Sequence, residues 1–339
     1  MHEAKEAFLK AAFAQADAAF AALPKGTPAQ HIALQADALV DGLTVKLRPP
    51  ETVIDLWPEG VPGLHAGAGP TKDDGQGHFT GVHYPTLTVY APPAGTANGT
   101  AVIYAPGGGY VRLATGLNGG IVTQWLNSLG ITVYLLKYRH GEYAHPAPLQ
   151  DALRAVRLLR SRAAELGIKH LGMIGGSAGG HLTASAGTLF DAPEGRTGAA
   201  LDKVSGRPDF LIMIFSMISM RDAPGITSRN PLLGDHPTEE LRHHLSVDEQ
   251  VTKDTPPTFL VHSAEDHTVP VENSLLFYSA MRRAGASIEM HLYAKGPHGD
   301  GMSPALGPIA EWPKLCEKWM RFNGWLPAPP PSASAPGAG

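Results

Sequence analysis

The chain has 339 residues, 43% of them hydrophobic, with a formal net charge of −4 and a single cysteine. That length suits one large α/β domain or two smaller ones. The missing Lys/Arg run argues against nucleic acid as a partner, no apolar run approaches a membrane span, and one cysteine excludes an intramolecular disulfide or a cysteine-based zinc site.

Residues 1–23 are alanine-rich. Leu9, Phe13, Ala16, Phe20 and Leu23 fall on one face of a helix that Pro24 ends. This face is expected to pack on the body of the protein or on a partner subunit. Glu3, Lys5, Glu6, Lys10 and Asp17 interrupt what a signal peptide would need as an uncharged core. The expectation is a cytoplasmic protein, or a secreted or periplasmic one whose signal has been removed. Residues 28–80 carry weaker patterns: a helix near Gln30–Val40, then Pro49-Pro50, Trp57-Pro58 and a loop rich in glycine and proline from Gly60 to Gly77. Asp73, Asp74 and His78 are metal-ligand types, but their spacing matches no known site, so no metal is assigned there.

From Pro85 the pattern sharpens. Thr86–Tyr90 alternates like a strand and Thr100–Tyr104 follows. After it come Pro106-Gly107-Gly108-Gly109-Tyr110, a helix over Leu117–Ser128 and a strand over Ile131–Leu136. Leu149, Leu153, Val156, Leu159 and Ala163 then mark one apolar helix face, while Arg154, Arg157 and Arg160 are expected on a solvated one. The short apolar run Leu171–Ile174 reads as a buried strand. Further strands are expected at Phe210–Phe215, Thr258–His262 and Ile288–Tyr293, with helices near Glu239–His244, Val271–Ala284 and Pro308–Phe322. Strands alternating with helices imply a mostly parallel, doubly wound sheet covered on both faces. The expected divisions are an N-terminal helical extension over 1–50, one catalytic domain over 51–326 and a disordered Pro/Ala/Ser/Gly tail over 327–339.

The chemistry centres on Gly175-Gly176-Ser177-Ala178-Gly179-Gly180-His181. A serine between glycines at a strand-to-helix turn is a nucleophile elbow, G-x-S-x-G. The turn lifts the hydroxyl clear of the sheet, beside helix N–H groups at the positive end of the dipole. A plain glycine-rich turn or a phosphate loop would occupy the same kind of junction. Ser177, however, replaces the second glycine of a dinucleotide motif, and no P-loop lysine follows.

Serine needs a base, and the base needs an orienting acid. On such a sheet the order along the chain is serine, acid, histidine. Asp266 is assigned as the acid and His298 as the base, both in loops after strands; Glu265 is the rival acid. His262 is read as the end of a buried strand, His267 as a loop residue, and His181 as a packed helix histidine. The N–H groups of Gly108, Gly109 and Ala178 are the expected oxyanion hole, since glycines permit close backbone approach.

These motifs have a family look. Ala105–Tyr110, Trp125–Ile131, Leu136–Arg139, the elbow, Asp266-x-x-Val269-Pro270-x-Glu272-Asn273 and His298-Gly299 resemble acetylxylan-esterase-like α/β-hydrolases, over about residues 53–325. That group includes bacterial feruloyl and acetyl xylan esterases and is similar to hormone-sensitive-lipase-type esterases. Pro106 stands where the lipase pattern has histidine. The resemblance implies a carbohydrate esterase, secreted or periplasmic in many relatives; joined to the triad, the expectation is a serine esterase acting through an acyl-enzyme on short acetyl esters of carbohydrates, without cofactor or metal. Feruloyl or general short-chain esterase, serine peptidase and non-catalytic binding protein are the alternatives. The loops Tyr138–Tyr143, Arg221-Asp222 and Trp57–Gly77 are expected to give the site a polar rim suited to sugar.

Overall fold

In the computed structural model, residues 52–75, 77–115, 117–221, 231–299 and 301–328 are described. The expected N-terminal helices and the tail from 329 onward lie outside them. An eight-stranded sheet takes the order β1 (Thr52–Asp55), β4 (Thr86–Tyr90), β7 (Thr132–Lys137), β5 (Thr100–Ala105), β8 (His170–Gly176), β9 (Leu211–Ile214), β10 (Thr258–Ser263) and β11 (Ile288–Tyr293). The pairs from β7 through β11 are parallel; β1 on β4 and β4 on β7 are antiparallel. A second, three-stranded antiparallel sheet joins β2 (Lys72–Asp73), β3 (His78–Thr80) and β6 (Leu113–Ala114).

Alternation along each strand divides the core between two faces. Ile103 of β5 and Met173 of β8 point into one layer, against helices α2 (Ala147–Ser161) and α4 (Ser177–Thr188). Tyr104 and Ile174 point to the other, against α1 (Leu117–Ser128) and α7 (Trp312–Phe322), where Trp125 and Trp312 meet at 5.1 Å. α6 (Glu272–Ala284) covers Met213 and Leu260 through Phe277 and Met281. Every residue of β5 and β10 is buried, as both faces being covered requires.

Some expectations need correction. Arg154 and Arg157 are not on a solvated face: both are buried. Arg154 donates to the Leu56 carbonyl and pairs with Glu59; Arg157 donates to the Gly195 carbonyl and pairs with Asp202. They fasten α2 to distant loops, and their charged heads are matched, as burial demands. The last helix starts later than Pro308, because a 3-10 turn over Pro304–Glu311 precedes it and Gly307 breaks the helical path. Cys316 is a free, buried thiol in α7, pushed up by that burial.

Candidate active site

All the pieces sit at the carboxyl ends of parallel strands, where open α/β sheets bind ligands. β8 ends at Gly176, and Ser177 opens α4 with φ 54°, one of three non-glycine residues with positive φ among the described residues. The strain persists because the surroundings fix it. A Cβ on Gly179 would lie 2.1 Å from the Ala105 carbonyl oxygen, so only glycine lets α4 pass this close to β5. Ser177 and His298 line one cleft of about 300 Å³ together with Gly107, Gly108, Gly109 and Gly299.

Asp266 is buried in the turn after β10, while Glu265 beside it is exposed. His298 reaches it from the loop after β11, Nδ1 to Oδ2 at 2.7 Å. Of the two candidate acids, it is Asp266 that meets His298. The other carboxylate oxygen, Oδ1, accepts the backbone N–H groups of Thr268 and Val269, each at 2.8 Å. Burial pushes this carboxyl up. Hydrogen bonds from His262 and His298, the field of His298 and the Val269 amide outweigh that and hold it well below the usual carboxylate range.

The His262 contact was not legible from sequence. Its ring is fully buried; Nε2 lies 3.1 Å from Asp266 Oδ2 and 2.9 Å from the Val269 carbonyl oxygen. Both of those oxygens only accept, so Nε2 carries a hydrogen; Nδ1 sits 2.7 Å from the Ser274 hydroxyl. Phe215, also at positive φ (47°), lies 5.2 Å from the His262 ring and 6.0 Å from the His298 ring, centroid to centroid. The four-residue interval from His262 to Asp266 was the only available signal, and it becomes informative only with the strand boundary known.

The glycine loop approaches the elbow closely. A Cβ on Gly107 would lie 3.2 Å from that of Ser177, and Gly108 has φ 122°, with Arg112 packed where a side chain would go. Among the described residues no backbone carbonyl takes the N–H of Gly108 or Gly109. Ala178 is buried and supplies a first-turn amide of α4, which has no partner within a helix. The Tyr138 hydroxyl donates to the Pro106 carbonyl at 2.7 Å and braces the loop where histidine is absent.

His181 is packed, not catalytic in position. Nε2 donates to the Leu245 carbonyl at 2.8 Å and Nδ1 accepts from the Tyr110 hydroxyl at 2.9 Å. Burial pushes this ring down to about 4, so it is neutral. His267 is exposed in its loop.

The polar rim is differently composed from the expectation. Tyr138, Arg139, His140 and Tyr143 are buried and line no part of the cleft. Arg139 instead holds Asp151, Nη2 to Oδ1 at 2.8 Å, and Asp151 also accepts from Trp57 Nε1 at 2.7 Å. That buried pair ties the Trp57 region to α2, away from the cleft. Arg221 is exposed and pairs with Glu249; Asp222 lies outside the described residues. Besides Ser177 and His298, the exposed Arg112 and Thr268 are the polar side chains at the cleft, and the Tyr104 ring, Val122 and Ile214 form its apolar wall.

A parallel sheet, a strained serine at a strand-to-helix turn and a histidine fixed on a carboxylate define the α/β-hydrolase fold. The protein-family model BD-FAE matches residues 87–281, more than half of the chain, and the chain belongs to that family. A solved acetyl ester-xyloside bifunctional hydrolase from Caldicellulosiruptor lactoaceticus is 37% identical with a TM-score of 0.72, over 84% of this chain and 99% of that one. An acetylxylan esterase of Xylanibacter ruminicola is 30% identical over 254 residues, covering 68% of this chain and 47% of that protein. Endo-1,4-beta-xylanase B of Butyrivibrio fibrisolvens is 33% identical over 204 residues, 58% of this chain and 32% of that protein. The chain thus spans less than half the length of each of these two curated relatives.

Proposed function

We propose that the protein is a serine carboxylesterase that removes acetyl groups from carbohydrates such as acetylated xylo-oligosaccharides. One observation carries the reading: His298 is held through Nδ1 on buried Asp266, and its ring shares a cleft with the strained Ser177.

With Nδ1 engaged, Nε2 is the nitrogen left to serve serine. Ser177 Oγ attacks the ester carbonyl carbon as His298 Nε2 takes its proton. The C=O electrons move onto oxygen, which the N–H groups of Gly108, Gly109 and Ala178 receive. Collapse re-forms the carbonyl and breaks the bond to the sugar oxygen, which leaves with the proton from His298. Water then repeats the sequence on the acyl-enzyme and releases acetic acid. Asp266 stays ionised and stabilises the imidazolium.

The cleft, about 300 Å³, is at the small end for ligand sites, and its apolar wall is short. An acetyl methyl fits such a wall, while Arg112 and Thr268 offer polar contacts to the alcohol side. The esterase and xyloside names of the relatives support the same substrate class. Acetate release from acetylated xylo-oligosaccharides, measured for the wild type and Ser177→Ala, tests it. Release by the wild type alone is expected; no release from any acetylated sugar would overturn the substrate assignment.

A further inference from the structure

Away from the cleft, three side chains from three separate segments converge. His145 lies between β7 and α2, Glu194 in the 3-10 turn Pro193–Gly195, and His244 in α5 (Glu239–Leu245). One ligand atom from each lies within 4.8 Å of the other two, the only such group of three among the described residues. His244 Nε2 is 2.6 Å from Glu194 Oε1, and His145 Nε2 is 4.0 Å from the same oxygen. The two rings stand edge to face at 5.7 Å. None of the three lines the cleft.

We infer that His145, Glu194 and His244 form a structural zinc site. The donor set decides the metal. Two imidazole nitrogens and one carboxylate oxygen suit zinc, whereas calcium and magnesium take oxygen ligands. Zinc–ligand bonds of about 2.0–2.2 Å put neighbouring tetrahedral ligands about 3.3 Å apart. The two separations from Glu194 Oε1 bracket that value: the contact to His244 must open and that to His145 must close, each by rotation of a side chain. The hydrogen between His244 Nε2 and Glu194 Oε1 then leaves to solvent, or the ring changes tautomer to carry it on Nδ1. One carboxylate offsets half of the metal's charge. His244 is 37% exposed at its side chain, so water can complete the fourth position.

The supporting backbone is already fixed. The His145 amide donates to the Leu232 carbonyl at 2.9 Å, and Gln150 Nε2 donates to the Glu194 carbonyl at 3.0 Å. Side-chain exposures of 11% for His145 and 27% for Glu194 give the metal a partly sheltered seat. The effect of such a site is mechanical. Zinc would fasten the loop after β7, a 3-10 turn and α5, segments that are far apart in sequence. It takes no part in the ester chemistry, which the elbow, the turn after β10 and the loop after β11 perform.

The test uses the full chain without an affinity tag, stripped with EDTA and dialysed against zinc chloride. One zinc per chain is expected, together with a rise in thermal midpoint on loading. His145→Ala, Glu194→Gln and His244→Ala should each weaken zinc binding by at least about tenfold, since each removes one of only three protein ligands. His243→Ala is the control: His243 is on the same helix but turns to Glu249, at 2.7 Å, and its loss should leave zinc binding unchanged. Ester turnover of the folded, EDTA-treated protein should equal that of the loaded protein. Failure of the wild type to take up stoichiometric zinc, or equal uptake by folded His244→Ala and Glu194→Gln proteins, would overturn the site.

Discussion

A carboxylate has about four acceptor positions, and Asp266 uses all of them: two backbone amides on Oδ1, two histidines on Oδ2. The group is fixed in orientation as well as in charge. Its folded-state pKa is depressed, so the ionised form contributes stability above the unfolded value of about 3.9 and that contribution fades as pH falls from there through the folded value. Asp266→Asn should therefore be markedly less stable than wild type at pH 7 in urea unfolding. The gap should narrow as pH falls from about 4. A gap independent of pH would contradict the carboxylate's role. His262→Phe removes one donor from Oδ2 and leaves the other three. A positioning role predicts that kcat drops by about tenfold or more with KM little changed, because Asp266 then holds the His298 ring less firmly. Lower stability with unchanged kcat would reduce His262 to packing. At this scale, motif order singled out Ser177, Asp266 and His298, whose spacing and loop position are written in the chain; the structure sets His298 on Asp266 and in one cleft with Ser177. The bond between His262 and Asp266 is set by side-chain direction at the end of β10, which sequence periodicity does not encode.

The elbow works as an element because its glycines have no side chains. Gly179→Ala would press a methyl group into the Ala105 carbonyl oxygen, 2.1 Å away, and push α4 off β5. A loss of about 1–3 kcal/mol in urea unfolding is expected for such overpacking. Turnover should fall further than stability explains, since Ser177 and Gly107 would separate. Unchanged midpoint and turnover would show that the helix yields without cost. Regular elements were the easiest to read: Leu117–Ser128 and the edge strand Ile288–Tyr293 have the bounds expected of them, and β10, buried throughout, runs one residue past the expected Thr258–His262. The region before Pro85 was not readable, and the reason is physical. β1, β2 and β3 are two to four residues long and mostly exposed, so they lack the apolar alternation that marks a strand. They exist through pairing with β4 and β6, which is a long-range fact. The arginines of α2 mislead for a related reason: a long side chain on a polar face can still be buried by a loop folding over it.

For the molecule as a whole, cleft size sets what can be hydrolysed. Each added methylene can gain about 0.8 kcal/mol only while apolar wall remains to cover it. Tyr104, Val122 and Ile214 supply a short wall in a cleft of about 300 Å³. kcat/KM for p-nitrophenyl esters should therefore be highest for acetate, lower for butyrate and near zero for octanoate. A rise toward octanoate would keep the esterase and discard the acetyl-sugar substrate. The polar rim that sequence placed in Tyr138–Tyr143 turned out to be an internal brace, because Arg139 and Asp151 satisfy each other in the core.

All of these readings depend on Ser177 being the nucleophile, and covalent labelling measures that directly. The protein is treated with a serine-directed fluorophosphonate, digested, and the modified peptide sequenced by mass spectrometry. One label per chain on Ser177 is predicted. Folded Ser177→Ala should take up none and lose on the order of 10³-fold or more of its acetyl-ester turnover. Labelling at another serine, or near-normal turnover by folded Ser177→Ala, would contradict the account.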